Sequence, residues 1–158
     1  MDEKLADVAT PSKRPMDLAL AEAEAAGLSG EVPIGAVVVS ASGEVLARAG
    51  NRTLALRDPT AHAELLAIRE ACATLGSERL TGCDLHVTLE PCAMCAAAIS
   101  FARIRRLYFG APDPKGGAVE HGPRFFAGAT CHHAPEIYGG IGEARAAELL
   151  KRFFAARR

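Results

Sequence analysis

No apolar run in this chain approaches the roughly 18–20 residues needed to cross a bilayer, which argues against a membrane span. The opening stretch, Met1 to Arg14, is polar and has no apolar h-region, so it does not read as a secretory signal. There are five cysteines, an odd number. Two of them belong to a motif described below, so a disulfide framework is disfavoured and the reducing cytoplasm is the expected compartment. Net charge is nearly absent too. At −1 it does not mark the chain as a nucleic-acid binder. Neither an internal repeat nor a second domain is visible.

What is present fits one ordinary globular domain: 158 residues, 49% hydrophobic and 23% charged. Residues 1–14 read as a mobile tail ahead of a domain spanning 15–158. The charges are unevenly distributed. Residues 1–94 hold 8 Lys/Arg against 14 Asp/Glu, whereas residues 95–158 hold 10 against 5. Arg103, Arg105, Arg106, Lys115, Arg124, Lys151, Arg152, Arg157 and Arg158 either gather into a basic patch on folding or disperse into a mixed surface.

Periodicity predicts a helix from Met16 to Ala26, stopped by Gly27. Val32 to Ser40 and Val45 to Ala49 read as strands of a hairpin turning at Ser42-Gly43. His62 to Leu75 is a helix, with Leu65, Leu66, Ile68 and Cys72 at helical spacing and Gly76 at its end. Asp84 to Leu89 is a strand, Cys92 to Phe101 a small-residue helix and Arg106 to Phe109 a strand. After Gly110 the chain is irregular until a short strand at Ile137-Tyr138 and a closing helix, Glu143 to Ala155. Strands alternating with helices predict a layered α/β sandwich.

The chemistry is concentrated in Thr60-Ala61-His62-Ala63-Glu64 and Glu90-Pro91-Cys92-Ala93-Met94-Cys95. One imidazole and two thiols suit zinc, and three ligands leave a fourth position for water. Cys92 and Cys95 are three apart and point to one side of a helix. Pro91 is placed to open that helix, whose N-terminal N–H groups favour thiolates. His62 and Glu64, two apart, converge only if the metal lies off the N-terminal end of their helix. Asp58-Pro59-Thr60 supplies the start signal for such a helix. Glu64, unligated, would then take a proton from water and return it to a leaving group.

Two blander readings stand beside this one. Cys92-x-x-Cys95 alone also fits a redox motif, which leaves His62 and Glu64 idle. A structural zinc would recruit a fourth ligand from His121, His132, His133 or Cys131. Cys72 and Cys83 read as core or surface thiols, and His86 as a packed or exposed strand residue.

The two runs together resemble the H-x-E…P-C-x-x-C signature of zinc nucleoside and nucleobase deaminases. Glu31-Val32-Pro33-Ile34-Gly35-Ala36, Gly50-Asn51-Arg52, Asp58-Pro59-Thr60, Thr88-Leu89-Glu90 and Phe109-Gly110-Ala111-Pro112-Asp113 extend the likeness. Over Met16 to Arg158 the chain resembles the bacterial tRNA-specific adenosine deaminases of the cytidine/deoxycytidylate deaminase superfamily. The resemblance implies a three-layer α/β/α sandwich with a central five-stranded mixed sheet, assembled as a homodimer. It implies one Zn2+ per chain on His62, Cys92 and Cys95, with Glu64 shuttling protons. Asn51 would bind the purine, assisted by the Ala63 backbone N–H. Asp113 and Lys115 match an anticodon-contacting loop, and Phe153 and Phe154 either match an aromatic pair near the substrate channel or serve as core for the closing helix. The implied reaction converts adenosine to inosine at the wobble position, 34, of a tRNA anticodon stem-loop. Other readings are a free nucleobase or nucleoside deaminase of the guanine or cytosine type, and a non-catalytic zinc-stabilised RNA-binding module.

Overall fold

The computed structural model describes residues 14–157, so all but the last residue of the expected 1–14 tail lies outside the described residues. In chain order the elements are α1 (Pro15–Leu28), β1 (Gly35–Val39), β2 (Val45–Gly50), α2 (Ala63–Leu75), β3 (Asp84–Leu89), α3 (Ala93–Phe101), β4 (Arg106–Ala111), a single 3₁₀ turn (Phe125–Ala127), β5 (Glu136–Tyr138) and α4 (Glu143–Ala155). Helix α1 passes through Gly27, where the sequence predicts a stop. It ends only as the chain turns at Ser29 and Gly30, the latter with φ +90°.

The five strands form one mixed sheet in the order β2-β1-β3-β4-β5. Strand β1 is antiparallel to β2 and β3, while β3, β4 and β5 run parallel. A parallel β3–β4 pair needs a crossover, and α3 supplies it.

Alternation along the strands divides the core between two faces. Ala36, Val38, Leu85, Val87, Leu107 and Phe109 face α2 and α3, packing on Ala67, Ala71 and Ile99. Val37 and Val39 point the other way, onto Met16, Ala19 and Leu20 of α1 and Ala146 of α4. Covered on both faces, β1 reads as an unbroken Gly-Ala-Val-Val-Val run. Burying a side chain such as Leu85 or Phe109 contributes roughly 1.5–3 kcal/mol. At Gly35, a Cβ would stand 1.9 Å from the Ala19 carbonyl oxygen, so only glycine lets α1 lie this close to β1. The three-layer α/β/α sandwich is the architecture observed.

Register decides where the site lies. Gly35 pairs with Gly50, Ala36 with Val87, and Leu89 with Ala111. Asn51, Glu90 and Pro112 therefore all leave the sheet at one edge, beyond the carboxyl ends of the parallel strands, where ligands bind in open α/β sheets.

Candidate active site

His62 and Cys92 are both N-cap residues, of α2 and α3 respectively. Their extended backbones (φ −74°, ψ 151° and φ −73°, ψ 175°) carry the side chains back past the helix starts. The sequence reading put both residues inside their helices, with Pro91 as the opening position. The structure moves each one residue out, and Pro91 precedes the cap. Asp58 prepares the first of these starts. Its Oδ1 accepts hydrogen bonds from the Thr60 N–H at 2.8 Å and the Thr60 hydroxyl at 2.7 Å. The Arg52 N–H then donates to the Ala61 carbonyl at 3.0 Å, tying this turn to the segment after β2.

Two helix N-termini thus meet at one point. His62 Nδ1 lies 3.6 Å from the Cys92 Sγ and 3.6 Å from the Cys95 Sγ. The three donor atoms all fall within 4.8 Å of one another. In a tetrahedral zinc site, with Zn–S about 2.3 Å and Zn–N about 2.0–2.1 Å, nitrogen and sulfur ligands stand about 3.5–3.6 Å apart. The donor set and its spacing both fit that ion.

The two thiols differ. Cys92 is drawn down to about 5, chiefly because it accepts a hydrogen bond from the Cys95 thiol, with the Cys95 N–H and His62 adding to the effect against the cost of burial. Cys95, which gives that hydrogen bond and is buried, is pushed up. Placement at a helix start favours the thiolate form of both. The geometry favours the one at the cap.

Glu64 stands in the first turn of α2 and is only 4% exposed. Burial pushes its carboxyl up to about 7, opposed by its own backbone N–H, while the charge of Cys92 adds to the rise. A carboxyl held beside a donor cluster, but outside it, is suited to carrying a proton. Ala63 is fully buried at the first position of α2, where its N–H has no helical carbonyl to meet. Asn51, also buried, follows β2 at the same edge.

Three of the four alternative metal ligands are engaged elsewhere. The His121 Nδ1 pairs with Glu90 at 2.8 Å, the Cys131 thiol donates to the His133 carbonyl at 3.1 Å, and the His133 Nε2 meets the Ile104 carbonyl at 2.7 Å. Among the described residues, His62, Cys92 and Cys95 are the group able to hold a metal. His86 is a packed strand residue, stacked on Tyr108 at 4.5 Å.

A groove of about 730 Å³ is lined by Val32, Leu89, Asp113, Lys115, Phe154 and Arg157, among others. It brings Asp113 and Lys115 together with one member of the aromatic pair. Phe153 points the other way, into a cavity of about 250 Å³ against Leu28 and Pro33 of the α1 side. The Arg157 guanidinium covers its ring at 3.4 Å.

Two residues given no role from the sequence organise the loops at this edge. The buried Glu31 accepts from the N–H groups of Leu54 at 3.1 Å and Ala55 at 2.8 Å. The buried Glu90 gathers the loop after β4. Burial pushes Glu90 up, but donors from Asp113, His121, Glu120 and Val119 more than offset this and hold it below the usual glutamate range. The signal was available: each is an acid at the end of a largely apolar run, Glu31-Val32-Pro33-Ile34 and Val87-Thr88-Leu89-Glu90.

Residues 10–111 match the family model of the cytidine and deoxycytidylate deaminase zinc-binding region. A tRNA-specific adenosine deaminase of Agrobacterium fabrum is 65% identical over 143 residues, covering 90% of this chain and 93% of that protein. This chain belongs to the tRNA-specific adenosine deaminase family. A structure solved in a study of A-to-I editing by tRNA:A34 deaminases superposes with a TM-score of 0.85 at 66% identity, covering 86% of this chain and 98% of that one. The guanine deaminase of Nitrosomonas europaea shares the fold more distantly, with a TM-score of 0.77 at 26% identity over 89% of this chain and 83% of that one. One Zn2+ per chain follows from membership of this zinc-binding family, and His62, Cys92 and Cys95 are the cluster able to hold it.

Proposed function

We propose that this chain hydrolyses adenosine to inosine at the wobble position, 34, of a tRNA anticodon, releasing ammonia. The observation that carries the reading is the convergence of His62, Cys92 and Cys95 at two helix starts, with Glu64 buried beside them and outside the donor set. A zinc ion in such a site acts as a Lewis acid that lowers the pKa of water to around 7. Glu64 takes a proton from the attacking water and returns it to the departing amino nitrogen. The Asn51 side chain and the Ala63 N–H hold the purine edge, and Asp113, Lys115 and Phe154, which line one groove, meet the anticodon loop. The target base must leave its stack to reach the site, so an unpaired loop is the substrate form.

Residues 15–158 make up the deaminase domain in this reading, acting in the cytoplasm as a homodimer. In such a dimer Leu54 and Phe101, each 70% exposed despite its large apolar side chain, are residues that a partner copy could cover. Among the described residues, no helix is long and apolar enough to cross a membrane.

The fold shared with a guanine deaminase favours one other reading, turnover of a free base. Incubating the zinc-loaded protein with tRNA and, separately, with free nucleobases and nucleosides separates the two. Inosine in the anticodon loop, with little change in the small molecules, is the expected result. Comparable turnover of free guanine would displace the tRNA reading.

A further inference from the structure

The carboxylate of Glu90 accepts five hydrogen bonds. Its Oε1 takes the Asp113 N–H at 3.0 Å and the His121 ring at 2.8 Å. Its Oε2 takes the N–H groups of Val119 at 3.1 Å, Glu120 at 3.0 Å and His121 at 3.2 Å. The loop can close this tightly because position 117 is glycine. A Cβ there would stand 2.4 Å from Oε2. Asp113, once placed, accepts the N–H groups of Lys115 at 3.1 Å and Gly116 at 3.0 Å. The Ala118 N–H adds a bond to the Pro91 carbonyl at 2.9 Å. Glu90 is two residues from the ligand Cys92, so the loop is measured off the metal turn itself.

We propose that Glu90 is the positioning residue that registers the 112–121 loop against the zinc-bearing turn, and so aims Asp113 and Lys115 at the substrate RNA. The RNA part rests on the function proposed above. Glu90→Gln keeps the shape and removes one acceptor. With its amide nitrogen on the Oε2 side, it meets three N–H donors. On the Oε1 side, the His121 ring can change tautomer and accept, but the Asp113 N–H still loses its acceptor.

The test uses full-length, zinc-loaded protein and an anticodon stem-loop. Glu90→Gln is expected to raise KM roughly tenfold, the order expected of one buried donor left unpaired, with zinc content held at one per chain and kcat nearly unchanged. An unchanged KM, or loss of zinc together with activity, overturns the proposal. Gly117→Ala attacks the same contact from the loop side and should raise KM in the same way. The double variant should then be no worse than the worse single one, and additive losses overturn the proposal. If the wild type fails on the stem-loop, the functional reading falls separately. Amide exchange still reads the clasp in that case. Faster exchange in Glu90→Gln confined to Asp113, Val119, Glu120 and His121 supports it, and unaltered exchange there overturns it.

Discussion

The metal edge and the proposed RNA rim lie side by side at the end of the same sheet, yet their side chains are held in opposite ways. His62, Glu64, Cys92 and Cys95 stand at the starts of α2 and α3, each helix pressed on the sheet by a buried alanine-rich face. Asp113 and Lys115 stand on a loop, Phe154 on the outer side of α4 and Arg157 just past its end, in an open groove and largely in solvent. Chemistry that needs donors a few tenths of an ångström from their required places sits on helix starts anchored in the core. Recognition of a long, charged partner tolerates exposed side chains, since phosphate attraction acts at longer range and each pairing adds little. The two regions should therefore fail differently when damaged.

The sharpest contrast is at the metal. Replacing His62, Cys92 or Cys95 by Ala should abolish tight zinc binding and with it all measurable turnover, because two donors do not close a tetrahedral site. Chelation of the wild type should do the same, reversibly on adding zinc. Metal content by elemental analysis checks each variant, and full occupancy in any of them removes that residue from the donor set.

Glu64→Ala should part the two roles that the metal edge combines. It should keep its zinc and its fold, since Glu64 lies outside the donor cluster, and lose roughly 10²–10⁴-fold in kcat, the usual worth of proton transfer by a placed group. Metal analysis with single-turnover kinetics gives both numbers on one sample. Near-normal turnover would end the assignment of Glu64.

The same contrast governs what could be read before folding. Donor identity, spacing and helix starts are local, so His62, Cys92 and Cys95 were legible from short motifs, as was the layered architecture from alternating periods. Even there, the exact cap positions needed the backbone, because a motif does not say whether Cys92 is the first helical residue or the one before it. The loop from Pro112 onward was opaque for a physical reason. Its order comes largely from the Glu90 carboxylate, more than twenty residues away in sequence, to which the local turn at Asp113 adds. The aromatic pair shows a similar limit. Neighbouring positions on a helix point about 100° apart. Periodicity says that Phe153 and Phe154 differ, but only the packing of α4 assigns Phe154 to the groove with Lys115 and Phe153 to the α1 side.

The smallest effects are expected on the rim, and there the structure separates residues that the charge count treated alike. Lys115 lines the open groove and Arg157 borders both that groove and the α1-side cavity, whereas Arg152 lines only cavities on the α1 side and lies 3.8 Å from Glu148, one turn earlier. With its side chain 66% exposed, that ion pair contributes little to stability, but it does direct the guanidinium away from the groove. Lys115→Ala and Arg157→Ala together should raise KM for the stem-loop roughly tenfold near physiological salt and flatten its log–log salt dependence by about 1.4, that is, about 0.7 for each single-strand phosphate no longer neutralised. Arg152→Ala should change both by much less. The Glu64-dependent kcat and the zinc content should hold in all three, because none of these side chains approaches the helix starts. Titrating KM against salt for the wild type and each variant measures the slopes directly. Equal slopes throughout would make the positive residues of the C-terminal third ordinary solvated surface and shift RNA recognition elsewhere on this edge.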